Sequence, residues 1–240
     1  MSGQLRDKER IAYRLHNMNK IKNRIVSLIH SEFVNKILPP YAVLPLILCP
    51  IINMVVYSGA QLIVRGQHHY DFTTAWDNMI PVVPAWTLVY LGCFLIWIVN
   101  YILVCRESRE ICYEFLSAEA LSKLICGVFF LFLPTTNLRP ELVGDDCFTQ
   151  MLRFVYTVDQ PVNLFPSIHC LAIWYSWRGL IKCEKVPGWY KWISFLFVWL
   201  VFLSVLYTKQ HVLVDIVGGV VVAEIGWYLS GKLHLGDRKS

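Results

Sequence analysis

Apolar residues fall in six long blocks, at roughly 40–64, 80–104, 119–135, 168–182, 190–208 and 211–230, separated by short polar connectors. Each block approaches the ~20 residues that a helix needs to cross about 30 Å of hydrocarbon. The pattern predicts an all-α polytopic membrane bundle of about six transmembrane helices. The first block lies too far from the start and lacks the small-residue cleavage site of a secretory leader, so it reads as a retained anchor. Residues 1–39 are basic, with apolar positions at helical spacing towards their end. They fit either an interfacial helix or a disordered topogenic tail. The expected organisation is this segment, a membrane domain over 40–231, and a short tail, 232–240.

Composition supports that solvent assignment: 56% of the 240 residues are hydrophobic and 16% are charged. The net charge of +5 has no aromatic-interleaved basic face, so no nucleic-acid partner is expected. Of the eight cysteines, only Cys147 falls outside the apolar runs and basic loops, so no disulfide framework is implied. His68 and His69 lack partners at metal-ligand spacing, and no metal or cofactor is expected.

Charge distribution orients the bundle. With the N-terminus inside, all but Arg65, Arg139, Arg153 and Lys209 of the 22 Lys and Arg residues are counted on the cytoplasmic side, Lys123 with Arg106 and Arg109. Both termini are then cytoplasmic. Three polar segments converge on the opposite, extracytoplasmic surface: 137–140, 165–169 and 209–215.

These segments hold the candidate chemistry. His211 and Asp215 are spaced i, i+4 and so share a helix face, where the carboxylate can hold one ring nitrogen and free the other as a nucleophile or base. An aspartate a turn inside a membrane helix is costly unless partnered and used. Ser167 sits as an N-cap ahead of the fourth apolar block, at a helix N-terminus that attracts anions, and His169 adds a proton donor there. Arg139 and Lys209 offer cations for a phosphoryl group. Asp159 and Asn163 read as loop-ordering or headgroup-contacting residues. Glu224 points roughly opposite His211 around its helix and fits an interhelical hydrogen bond instead.

In order and spacing, Arg139-Pro140, Pro166-Ser167-Ile168-His169, Ser204, His211 and Asp215 resemble the signature of the type 2 phosphatidic acid phosphatase superfamily. The family's first Lys falls on Phe132, its Gly on Ile168 and its second Arg on Val205. Two expected phosphate ligands are therefore apolar, and Lys209 is the candidate replacement for one of them. The run Asn163 to Ser167, with Lys209-Gln210-His211, looks closer to the family's phosphotransferase branch.

The resemblance implies that His211, oriented by Asp215, attacks phosphorus and becomes a phosphohistidine. It also implies that His169 protonates the leaving oxygen, with Arg139, Ser167 and Lys209 holding the phosphate oxygens. The first expectation is a hydrolase of phosphoric monoesters or diphosphates in the plasma membrane, acting on an isoprenoid or glycerolipid phosphate at the extracytoplasmic side. Water as acceptor needs no second pocket, and the outer loops are short. The alternatives are a phosphotransferase resembling inositol phosphorylceramide or sphingomyelin synthases, and a non-catalytic protein that binds lipid headgroups.

Overall fold

The computed structural model describes residues 37–233 and isolated positions before them. The basic N-terminal segment and the C-terminal tail therefore lie almost wholly outside the described residues. Among the described residues, eight α-helices and one two-stranded ladder follow in order: α1 (Pro40–Ile63), β1 (Tyr70–Asp71), α2 (Ala75–Met79), α3 (Thr87–Glu107), α4 (Arg109–Phe132), β2 (Thr135–Thr136), α5 (Cys147–Val158), α6 (Ile168–Ile181), α7 (Gly188–Tyr207) and α8 (Leu213–Lys232).

Local chemistry sets these boundaries. Pro39-Pro40 opens α1, where a missing N–H costs nothing. The Ser108 hydroxyl accepts the Ile111 N–H at 3.2 Å to start α4. The Asp146 carboxylate accepts the Phe148 and Thr149 N–H groups to start α5. A single 3₁₀ turn, Pro84–Trp86, leads into α3.

Among the described residues, five helices are long and apolar enough to span a bilayer: α1, α3 with its 3₁₀ lead-in, α4, α7 and α8. Large apolar side chains such as Met54, Leu95 and Trp192, each more than 60% exposed, project outward from them as lipid-facing groups do. The fourth apolar block forms a shorter helix than its 15-residue run suggests. At 14 residues, α6 is about 21 Å long and stands at the centre of the bundle, packed against α3, α4, α7 and α8. Leu171, Ile173, Tyr175 and Leu180 on it are fully buried.

Two helix starts depart from the sequence expectation: α3 begins at Thr87, after the expected 80, and α4 departs further. Helix α4 begins at Arg109, ten residues ahead of the apolar run, so Lys123 lies mid-helix inside the bundle and not among the charges of the cytoplasmic end. Its Nζ meets Glu119 Oε1 at 2.8 Å one turn away, and both are buried. Pairing the two charges is what allows polar residues into this helix.

The chain reverses at each long helix, which gathers β1, α2, β2, α5 and the 209–215 segment at one end of the bundle. The parallel pairing of Tyr70–Asp71 with Thr135–Thr136 ties two of these connections together. Phe165 N–H donates to Thr135 Oγ1 at 2.8 Å and Thr136 Oγ1 donates to Pro161 O at 2.6 Å, fastening the loop before α6 to the same ladder. At the other end, Lys182 pairs with Glu114 at 2.5 Å and Lys185 N–H donates to Glu107 at 3.2 Å. Glu224 accepts from Trp174 Nε1 at 2.7 Å and faces Arg178 at 3.3 Å, an interhelical tie between α8 and α6.

Candidate active site

Both histidines come to the polar end on neighbouring segments, their ring centroids 5.7 Å apart. The approach depends on how closely α8 passes α6. A Cβ at Gly219 would lie 2.6 Å from Ser167 O, so only glycine permits this crossing. A further backbone bond, from Ser167 N–H to Asp215 O at 3.1 Å, fixes the two helix starts to one another.

The His211–Asp215 contact arises differently from the shared helix face that the spacing suggests. His211 precedes α8, with Val212 as N-cap and Asp215 in the first turn. The Asp215 carboxylate therefore faces back and accepts the Val212 N–H at 3.1 Å and His211 Nδ1–H at 3.2 Å through the same Oδ2. A carboxylate can only accept, so this bond leaves the Nε2 lone pair of His211 free.

His169 occupies the first turn of α6, and Ser167 caps that helix by accepting the Cys170 N–H at 3.2 Å. Ser167 is fully buried, so its oxygen serves the helix first. His169 Nε2 lies 2.9 Å from the Tyr90 hydroxyl, which also donates to Asp159 Oδ2 at 3.0 Å. The Tyr57 hydroxyl donates to Asp159 Oδ1 at 3.1 Å. Asn163 is buried at φ 54°, its amide donating to Tyr57 O at 3.3 Å. Asp159 and Asn163 thus order the loop ahead of α6 and brace its tyrosines.

Arg139 donates through one Nη to Asp159 O at 2.5 Å and through the other to Gln210 Oε1 at 2.7 Å, with its guanidinium 4.7 Å from the centre of the Tyr156 ring. Desolvation lowers its pKa, against the pull of Asp159. Arg139 Nε and Gln210 Nε2 are buried donors without a partner among the described residues. Lys209 Nζ donates to Asp77 O at 2.7 Å. Asp77 carries weight that the sequence pattern left unassigned. One carboxylate oxygen caps α2 at Thr74, and the other accepts the Leu213 N–H at 2.8 Å, holding α2 against the start of α8.

Two cavities meet at His211. The smaller, ≈ 310 Å³, contains both histidines, with Tyr57, Tyr90, Phe94 and Trp97 among its mostly apolar walls. The larger, ≈ 600 Å³, lies on the other side of His211 and is bordered by Asp71, Asp77, Asn137 and Lys209. Tyr90, Tyr57 and Asp77 are additions to the sequence-based set. The Thr74-x-x-Asp77 capping box was a usable signal for Asp77, whereas a tyrosine in an apolar run ordinarily reads as an interfacial anchor.

This arrangement defines a helical membrane protein with a paired-histidine site where an aromatic chamber meets one of mixed polar and apolar walls. A model of the PAP2 superfamily matches residues 69–229, more than half of the chain, and the chain belongs to that superfamily. No curated protein and no solved structure matches it.

Proposed function

We propose that the protein is a phosphatase that hydrolyses a lipid phosphate or diphosphate through a phosphohistidine on His211, at the extracytoplasmic surface of the plasma membrane. The observation that carries the reading is the pair of facing imidazoles, 5.7 Å apart, with the Nδ1 of His211 held by Asp215. His211 Nε2 attacks phosphorus, and His169 gives a proton to the departing alkoxide. Water then enters, His169 takes its proton, the hydroxide attacks phosphorus, and the P–N electron pair returns to His211. Lys209 and the free donors of Arg139 and Gln210 stand by to offset charge on the phosphoryl oxygens. The aromatic chamber suits the apolar segment next to a lipid phosphate.

A second reading, transfer of the phosphoryl group to a hydroxyl acceptor, draws on the larger cavity. Water as acceptor needs no second pocket, yet ≈ 600 Å³ of space with mixed polar and apolar walls adjoins His211. Purified protein assayed on a panel of lipid phosphates and diphosphates, with and without a polyol acceptor, separates the readings. Phosphate release without acceptor supports the phosphatase, and product formed only with acceptor supports the transferase. Silence in both arms moves the site to headgroup binding.

A further inference from the structure

The two histidines are not equally supported. Asp215 holds His211 directly, whereas the carboxylate behind His169 acts through a phenol, in the chain Asp159 Oδ2, Tyr90 OH, His169 Nε2, with separations of 3.0 and 2.9 Å. The proton count along this chain is determinate. A carboxylate offers lone pairs, so the single Tyr90 proton goes to Asp159 Oδ2. The Tyr90 oxygen keeps its lone pairs, and His169 Nε2, 2.9 Å away, is placed to donate to it. Tyr90 is 3% exposed and lines the same cavity as His169. Tyr57 holds the other carboxylate oxygen at 3.1 Å, and Arg139 holds the Asp159 carbonyl.

We propose that Tyr90 and Asp159 are positioning residues that fix His169 as the Nε2–H tautomer, so that Nδ1 is the nitrogen that gives and takes the proton in the reaction. The inference rests on the hydrolytic reading for its kinetic consequence and on geometry alone for the tautomer. When the P–O bond breaks, the Nδ1–H of the His169 imidazolium passes its proton to the leaving alkoxide and the ring becomes neutral. The Nε2–H stays on the Tyr90 oxygen throughout. In the second half, Nδ1 takes a proton from the attacking water. Asp159 stabilises the cation through the polarised phenol without being protonated itself, the role that a carboxylate plays behind a catalytic histidine in other hydrolases.

The test has a spectroscopic arm and a kinetic arm. Full-length protein with ¹⁵N-labelled histidine reports the tautomer directly, His169 being assigned by its loss in His169→Ala. The wild type should show neutral His169 protonated at Nε2. In Asp159→Ala the Tyr90 proton is freed to donate to Nε2, so the ring should switch to Nδ1–H. Tyr90→Phe, which keeps the ring packing, should give a mixture. Unchanged tautomers in both variants overturn the proposal.

In the kinetic arm, dodecyl phosphate needs protonation of its leaving group and 4-nitrophenyl phosphate hardly does. Tyr90→Phe should slow the first by roughly 10²-fold and the second by less than about threefold. An equal loss on both substrates would mark a merely structural contact and also overturn it. If the wild type turns over neither substrate, the hydrolytic reading fails while the nitrogen shifts still decide the relay.

Discussion

Lys209 is held at φ 53°, in the left-handed region that a lysine enters at a cost of about 1 kcal/mol or more. It occupies the position just past the C-cap of α7, where Gln210 N–H bonds Val205 O at 2.9 Å and Lys209 N–H bonds Leu206 O at 3.1 Å, a closure that usually carries glycine. A non-glycine residue kept there points to its ammonium group. Lys209→Gly and Lys209→Ala should therefore both cut turnover by roughly 10²-fold or more, while the glycine variant unfolds a few degrees higher than the alanine variant. Near-normal turnover in either would reduce Lys209 to a structural contact with Asp77.

Asp77 gives a complementary test. Burial acts to raise its pKa, but hydrogen bonds from Thr74 and Leu213 and the nearby Lys209 outweigh that and hold it below 3.8. A carboxylate with a lowered folded pKa stabilises the fold above its unfolded value and loses that contribution as pH falls through the folded one. Asp77→Asn should be less thermostable than wild type at pH 7, with the gap closing below about pH 4. A constant gap across pH would remove the charge from the account. At this scale His211, His169, Asp215 and Lys209 were legible because polar groups beside membrane spans stand out. Tyr90 was not, because its role depends on a loop 69 residues away.

Helix boundaries were legible where hydrophobicity decides them and hidden where pairing does. The apolar pattern marks α1, α7 and α8 to within about two residues, yet it starts α4 ten residues late because Arg109, Glu110 and Glu114 break the apolar run over its first turns. In the bundle, Glu119 accepts from the Tyr101 hydroxyl, its other oxygen lies 2.5 Å from Cys49 Sγ, and Lys123 neutralises it at 2.8 Å. Helices α1, α3 and α4 thus share one buried polar cluster. Removing one charge strands the other, at a cost of about 3–5 kcal/mol, whereas removing both avoids most of that penalty. Lys123→Met should lower the unfolding temperature in detergent by more than Lys123→Met combined with Glu119→Gln. Additive losses in the two single variants would show that the charges do not depend on one another.

For the whole molecule, the polar end can face either side of the membrane as far as packing is concerned, since α-helical bundles fold in both senses. Lys and Arg placement breaks that symmetry. Withdrawing Lys123 from the count leaves the bias intact, because Arg106, Arg109, Lys182, Lys185 and Lys191 still crowd the end opposite the site. We therefore expect the paired histidines to face outward, with α6 crossing as a sixth span and both termini inside.

Cys147 is the one exposed cysteine among the eight and begins α5 at the site end, so it is a built-in reporter. In intact cells an impermeant maleimide should label the wild type at Cys147 and leave Cys147→Ser unlabelled. In that background, Asp145→Cys should restore labelling from outside. Glu184→Cys, on the exposed turn between α6 and α7, should label only after the membrane is opened. Labelling of the Glu184→Cys protein in sealed cells, with silence at residue 145, would invert the molecule. The substrate would then have to be drawn from the cytoplasmic leaflet. Labelling of both from outside would instead leave α6 short of the far surface, which its length of about 21 Å makes the sharper risk.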